Sequence, residues 1–213
     1  MAERSNASAK PRPRGRPRLE NNEQFERRRE EIVDIAAKVF AERGFHATTV
    51  DNLVDATGLQ RGGLYHYMDS KEDLLIRIHE RFIEPLLAEA AKVADASDPP
   101  EVALRKLGHV LIQDIAGYLP QVTVFLHEWR IIEHDERWRS IRKSRKKFEQ
   151  LISDVLQRGV EQGVFAVEDV RLTTLAFLGM FNYSYQWYQP GGRVSADQIA
   201  DRFCDIFLSG ITR

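Results

Sequence analysis

Between positions 60 and 71 the chain reads QRGGLYHYMDSK, and nearly every polar side chain in it can contact a nucleic acid. Tyr65, His66, Tyr67 and Lys71 offer donors suited to phosphate oxygens, while Gln60 and Arg61 can reach base edges in a major groove. Gly62 and Gly63 fall where the pattern is otherwise helical, and each costs up to about 1 kcal/mol there relative to alanine. Stability does not explain them; close approach of the backbone to another surface does. A second set of donors lies upstream in PRPRGRPR, Pro11 to Arg18, where Arg12, Arg14, Arg16 and Arg18 alternate with proline or glycine.

Other chemistry is poorly served. The sequence has no phosphate-binding glycine loop, no nucleophile elbow and no cluster with metal-ligand spacing, so an enzyme is not expected. His127, Glu128 and His134 are the nearest approach to a metal site, but the two histidines share a face only on an unbroken helix and no further residue completes the set. Neither metal nor cofactor is expected. Cys204 is the single cysteine, and Phe203, Ile206 and Phe207 around it suggest a buried thiol.

Charge gives no global signal: lysine plus arginine number 31 against 32 acids, for a formal net charge of -1. Its distribution does, because cations concentrate in the arm and again from Arg137 to Lys147. No apolar run approaches the ~20 residues that span a bilayer, and the N-terminus is cationic and proline-rich, so the expected location is cytoplasmic.

The elements that must position these groups read as helices throughout. Ile32, Ile35, Ala36, Val39 and Phe40 fall on one face of a helix expected from about Phe25 to the stop at Gly44. Thr48 with Asp51 suggests a capping box for a short second helix ending at Gly58, and a third short segment covers 61–67. Ser70 with Asp73 caps a longer helix that Pro85 should kink or end. Further on, Asp98 is expected as an N-cap, Pro120 as an interruption and Asp135 to Gln162 as a long amphipathic helix. Asp169 caps a helix expected to reach Tyr188, and Ser195 with Gln198 opens the last one. With no strand pattern, the expected fold is all-α, about nine helices.

Two short helices joined by TGLQRGG and braced by a longer one outline a helix-turn-helix. The stretch AAKVFAERGFHATTVDNLVDATGLQRGGLYHYMDSKEDLL resembles the DNA-binding domain of the TetR family of bacterial transcriptional regulators. The resemblance implies that Thr49, Tyr65, Tyr67 and Lys71 hold phosphates and that Arg61, Gly62 and His66 face bases. Gln60 departs from the family's usual serine or threonine, and Met68 from its usual phenylalanine.

The basic, proline-rich composition marks a disordered arm over 1–24, and the resemblance implies a helix-turn-helix domain over 25–87 and an effector-binding and dimerisation domain over 88–213. The last two long helices would form the homodimer. The run LTTLAFLGMFNYSYQWY carries no charge from Leu172 to Tyr188, so it must be covered on several sides. Phe125, Trp129, Asn182, Tyr183 and Gln186 are the candidate effector contacts, with Tyr185 a further polar group.

The tail WYQPGGRVSADQIADRFCDIFLSGI resembles a TetR subgroup regulating fatty-acid and steroid catabolism, whose effectors are often acyl-coenzyme A thioesters. Arg130, Arg137, Arg139 or Arg142 could then meet the nucleotide phosphates. The expected function is a repressor released from a palindromic DNA operator by a small apolar effector. An architectural minor-groove protein is the alternative, because PRGRP, Pro13 to Pro17, is similar to an AT-hook core.

Overall fold

The computed structural model describes residues 18–128 and 136–212. Within them the chain forms nine α-helices: α1 (Arg18–Arg43), α2 (Val50–Thr57), α3 (Arg61–Leu64), α4 (Lys71–Asp95), α5 (Pro100–Gly117), α6 (Leu119–His127), α7 (Arg139–Glu161), α8 (Val170–Asn182) and α9 (Ala196–Ile211). Short 3-10 turns precede α7 at Glu136–Trp138 and follow α8 at Tyr183–Gln186. Among the described residues there is no strand, only an isolated antiparallel bridge between Phe165 and Thr212, and no helix is long and apolar enough to cross a membrane.

Helices α1 to α3 and the start of α4 make a head, and α4 to α9 make the body. One connected set of buried side chains runs through both, from Ile32, Phe40 and Leu53 in the head to Leu104, Ile152 and Phe177 in the body. The pairs α5 with α9 and α4 with α7 pack most extensively in the body, and α1 packs on α6 across the junction. Helix α4 belongs to both parts. Where α7 ends, the Phe165 ring lies over Gly159; a Cβ there would sit 2.1 Å from Phe165 Cδ2. Glycine is required at that crossing.

Several helix ends differ from the sequence-based expectation. Helix α1 starts at Arg18, so residues 18–24 are helical and not part of a disordered arm. Nothing between Leu19 and Gly44 breaks a helix, and Glu23–Arg27 and Glu26–Arg29 ion pairs reinforce its exposed first half. The N-cap of α2 is Thr49, whose capping box is completed by Asn52, one residue along from the expected Thr48 and Asp51. Thr48 is buried and donates instead to the Gly44 carbonyl at 2.8 Å.

Ser70 caps α4 as expected, accepting from the Asp73 N–H, but α4 continues ten residues past Pro85. The N-cap of α5 is Pro99, while Asp98 pairs with Lys106 at 2.7 Å. Helix α8 stops at Asn182 and tightens into the 3-10 turn, short of Tyr188. Ser195 and Gln198 do form the capping box of α9. Gly44, Gly58 and Gly163 end α1, α2 and α7 with positive φ, a conformation open to glycine at little cost.

Candidate nucleic-acid interface and effector cavity

The loop between α1 and α2 is fixed by three hydrogen bonds from outside it. Lys71, at the start of α4, donates from Nζ to the carbonyls of Phe45 and Thr48, at 2.7 and 2.9 Å, and lies 4.4 Å from the Phe45 ring centroid. Glu128, at the end of α6, accepts from the Phe45 N–H at 3.2 Å and approaches His46 Nε2 at 4.0 Å. The ammonium of Lys71 therefore spends two of its three donors inside the head.

Residues expected at DNA divide into free ends and packed bodies. Thr49, Gln60, Arg61, Gly62, Tyr65 and His66 are exposed; Tyr67 and Lys71 are half-buried. Arg61 reaches Asp51 at 2.6 Å, and this hydrogen bond raises its pKa above the ordinary value. The pair bridges α3 to the first turn of α2. Tyr67 stacks on Phe25 of α1 with ring centroids 5.0 Å apart, and His66 meets the same ring edge-on at 5.3 Å. Phe25 thus joins the site, although its sequence position marked only a helix start. A Cβ at Gly62 would meet no atom within 4 Å, and one at Gly63 only Leu59 Cβ at 3.9 Å. Nothing inside the head asks for glycine at either position. Arg12, Arg14 and Arg16 lie outside the described residues; of Arg18 only the backbone, the first residue of α1, is described.

In the body, a narrow cavity lies between five helices. Phe82, Ile83 and Leu86 of α4 form one wall, and Leu111, Asp114 and Ile115 of α5 another. Val122, Phe125 and Leu126 of α6, Arg145 and Phe148 of α7, and Leu178 and Asn182 of α8 complete it. Phe125 and Asn182 therefore line the cavity. Tyr183 and Gln186 do not: the tightening after Asn182 turns Tyr183 outward, 65% exposed, and leaves exposed Gln186 bonded to the Tyr185 hydroxyl. Trp129, Arg130, His134 and Asp135 fall outside the described residues.

The polar wall residue Asp114 escaped the sequence reading. Its signal was there: an acid three residues after Leu111 and seven after Leu107 occupies the inward face of an apolar helix. Only 9% of it is exposed, and its Oδ2 has no hydrogen-bond partner among the described residues. Burial in these apolar surroundings pushes its pKa up to about 7. His79 of α4 is fully buried nearby, its ring 4.3 Å from that of Phe125. Burial lowers its pKa to about 3, and its Nδ1 donates to the Leu75 carbonyl at 3.3 Å.

Helix α6 touches both sites. Its cavity face carries Val122, Phe125 and Leu126, while Gln121 donates to Asp34 of α1 at 3.1 Å and Glu128 holds the α1–α2 loop. Asp34 also accepts from Arg81 of α4 at 3.0 Å, so α1, α4 and α6 meet at one carboxylate. No group of three or more metal-ligating residues occurs among the described residues.

Comparison with known proteins agrees with this division into head and body. Residues 32–78 match the family model described as bacterial regulatory proteins, tetR family, and residues 97–211 match the tetracyclin repressor-like C-terminal domain. The HTH-type transcriptional repressor KstR2 of Mycobacterium tuberculosis is 32% identical over 191 residues, 89% of this chain and 96% of that protein. The solved structure of that ketosteroid transcriptional regulator superposes with a TM-score of 0.83 over 87% of this chain and 95% of its own. AibR, solved in complex with isovaleryl coenzyme A and operator DNA, is 26% identical, with a TM-score of 0.75 over 84% of this chain and 97% of its own. The chain belongs to the tetR family of bacterial regulatory proteins and is a DNA-binding transcriptional regulator, not an enzyme.

Proposed function

We propose that the protein is a homodimeric repressor that leaves a two-fold operator when an apolar small molecule, an acyl-coenzyme A thioester, enters the body cavity. The observation that carries this reading is the double duty of α6, which walls the cavity with Phe125 and grips the head through Gln121 and Glu128. A ligand that displaces the cavity face of α6 displaces the head with it. Paired heads must enter major grooves about one helical turn apart, ~34 Å or a multiple, so a small change in their separation prevents simultaneous docking.

At the DNA, Thr49, Tyr65 and Tyr67 hold phosphates, Lys71 sets the loop and adds its remaining donor, and Gln60, Arg61 and His66 address bases. Gly62 lets the backbone come close. The arm with Arg12, Arg14 and Arg16, leading into Arg18 at the start of α1, adds minor-groove contact beside that site. Removing residues 1–17 should then weaken operator binding and flatten its salt dependence.

Dimerisation is supported by apolar surface that a single chain leaves open: Leu172 and Leu175 on α8, Tyr183 in the turn after it and Ile206 on α9 are 64, 45, 65 and 51% exposed. Leu172 and Leu175 lie one turn apart on α8 and Tyr183 follows in the turn beyond it, an apolar surface awaiting a partner. The apolar walls of the cavity match the chemistry of an acyl chain. The nucleotide of coenzyme A, too large for the remaining space, would lie outside it along the basic first half of α7, near Arg139 and Arg142.

Gel-shift assays with a panel of acyl-coenzyme A thioesters test the reading. Release at some chain length supports it; retention of the complex with every thioester refutes the effector class.

A further inference from the structure

The exposed face that α2 and α3 share carries an acid among its donors. Asp51 stands in the first turn of α2, its side chain 70% exposed, and reaches across to Arg61 of α3 at 2.6 Å. A carboxylate on a surface that meets DNA repels phosphates, so it weakens binding unless it has a role there. Capping is not that role, because Thr49 and Asn52 complete the capping box of α2 between them. The helix dipole would favour the acid equally well if it pointed to solvent, and an ion pair this exposed contributes little stability. The contact across to α3 is what needs a reason. Arg61 opens a helix of four residues and is followed by two glycines; a Cβ at Gly62 would meet no atom within 4 Å. With so little packed beside it, Arg61 takes its direction from Asp51, and Tyr65 one turn on interacts with the same guanidinium.

We propose that Asp51 is a positioning residue for base recognition, holding Arg61 as a reader of guanine instead of a clamp on phosphate. The inference rests on the base contact proposed above for Arg61, and names both the base and the residue that enforces it. A guanidinium presents five N–H donors in a fixed fork, and Asp51 takes one of them, at Nη2. The donors that remain match O6 and N7 of guanine, two acceptors side by side on the major-groove edge. Adenine sets a donor beside its N7, and thymine a methyl beside its single acceptor, so neither satisfies the fork. An unpaired arginine in the same place would gain as much from a phosphate, whatever the sequence. Pairing with Asp51 offsets the charge that draws Arg61 to phosphate and leaves the directional bonds to a base.

The test begins with selection of the preferred site of the full chain from a pool of random-sequence duplexes. Each base pair of that site is then exchanged in turn, and affinities are measured by fluorescence anisotropy over a range of salt. For the wild type, exchanging one G·C pair in each half-site should weaken binding about tenfold or more. Asp51→Ala should cut that cost to below about threefold at that pair alone, while binding to a random duplex tightens and its salt dependence steepens by about one phosphate contact. Asp51→Glu, which keeps the acid, should keep most of the preference. Arg61→Ala should lose the same preference, and the double variant should match it, because Asp51 acts through Arg61. If Arg61→Ala loses the preference and Asp51→Ala does not, the proposal is overturned and the base contact of Arg61 stands. If Arg61→Ala keeps its discrimination at every pair, Arg61 reads no base and both are overturned. Discrimination lost evenly over all positions in Asp51→Ala marks a disturbed α2 and also overturns the proposal.

Discussion

Replacing Asp114 by asparagine should stabilise the protein, and by an amount that depends on pH. The substitution is nearly isosteric and removes only the ionisation. Burial raises the pKa of Asp114 from its ordinary 3.8 to about 7. At about 1.4 kcal/mol for each tenfold change in proton affinity, that rise is on the order of 4 kcal/mol. Below pH 3.8 the carboxyl is protonated in the folded and unfolded chain alike, and the variant gains little. Between 3.8 and about 7 the unfolded chain loses the proton while the folded one keeps it, so wild-type stability falls as pH rises. Above about 7 both states are ionised and the gap is constant, near its full value. His79 acts in the opposite sense: its pKa falls from 6.5 to about 3, so its burial costs stability as pH drops through that interval. Because His79 is unchanged in the variant, it cancels in the difference. Urea unfolding at one fixed protein concentration, followed by circular dichroism at pH 4.5, 6 and 8, measures that difference. It should grow steadily between the first and last pH. A difference that is the same at all three would refute the reasoning, since it would mean that Asp114 does not carry its proton into the fold.

Other perturbations address other links. Glu128→Ala removes the acceptor of the Phe45 N–H; operator release should need markedly more effector in a gel shift, while calorimetric affinity for the effector stays within about threefold. Leu175→Glu places a charge on the open face of α8 and should shift the protein to monomer in sedimentation velocity; a dimer of unchanged affinity would assign the interface elsewhere. Gly159→Ala forces a Cβ to within 2.1 Å of the Phe165 ring, and its thermal midpoint should fall with a loss of about 1–3 kcal/mol, which calorimetric melting would register. Thr49→Ala deletes the side-chain cap of α2, costing about 1 kcal/mol in urea unfolding, and should weaken operator binding in addition.

What the sequence made legible follows the range of the forces involved. Helical periodicity and glycine stops are local, and they located most of the helices, the turn before α3 and the stops at Gly44 and Gly58, but not α6, whose first turn holds the Pro120 expected to interrupt the chain. Caps depend on which of two adjacent threonines the backbone turns outward. Thr49 took that role because Thr48 is buried against the Gly44 carbonyl, a tertiary outcome invisible in spacing. The start of α1 was misplaced because basic, proline-rich composition was extended across residues 18–24, where nothing interrupts a helix.

At the cavity, Phe125 and Asn182 were legible as apolar and polar members of buried helices, whereas Tyr183 and Gln186 were assigned on the assumption that α8 continued. Asp114 was missed for the opposite reason. An acid on an inward face conflicts with the hydrophobic pattern, and such conflicts are where function tends to lie. The charge-free run from Leu172 to Tyr188 did demand cover on several sides, but a single chain supplies only part of it. The role of Lys71 in tying down two loop carbonyls likewise needed the fold, since those partners lie 23 and 26 residues away.

Footprinting of the full-length protein on the DNA flanking its own gene, with and without an acyl-coenzyme A thioester, joins head, cavity and α6 in a single result. A discrete protected site with two-fold symmetry, lost as thioester is added, is the expected pattern. Continuous protection without a bounded site, or a bounded site that no thioester releases, would contradict it.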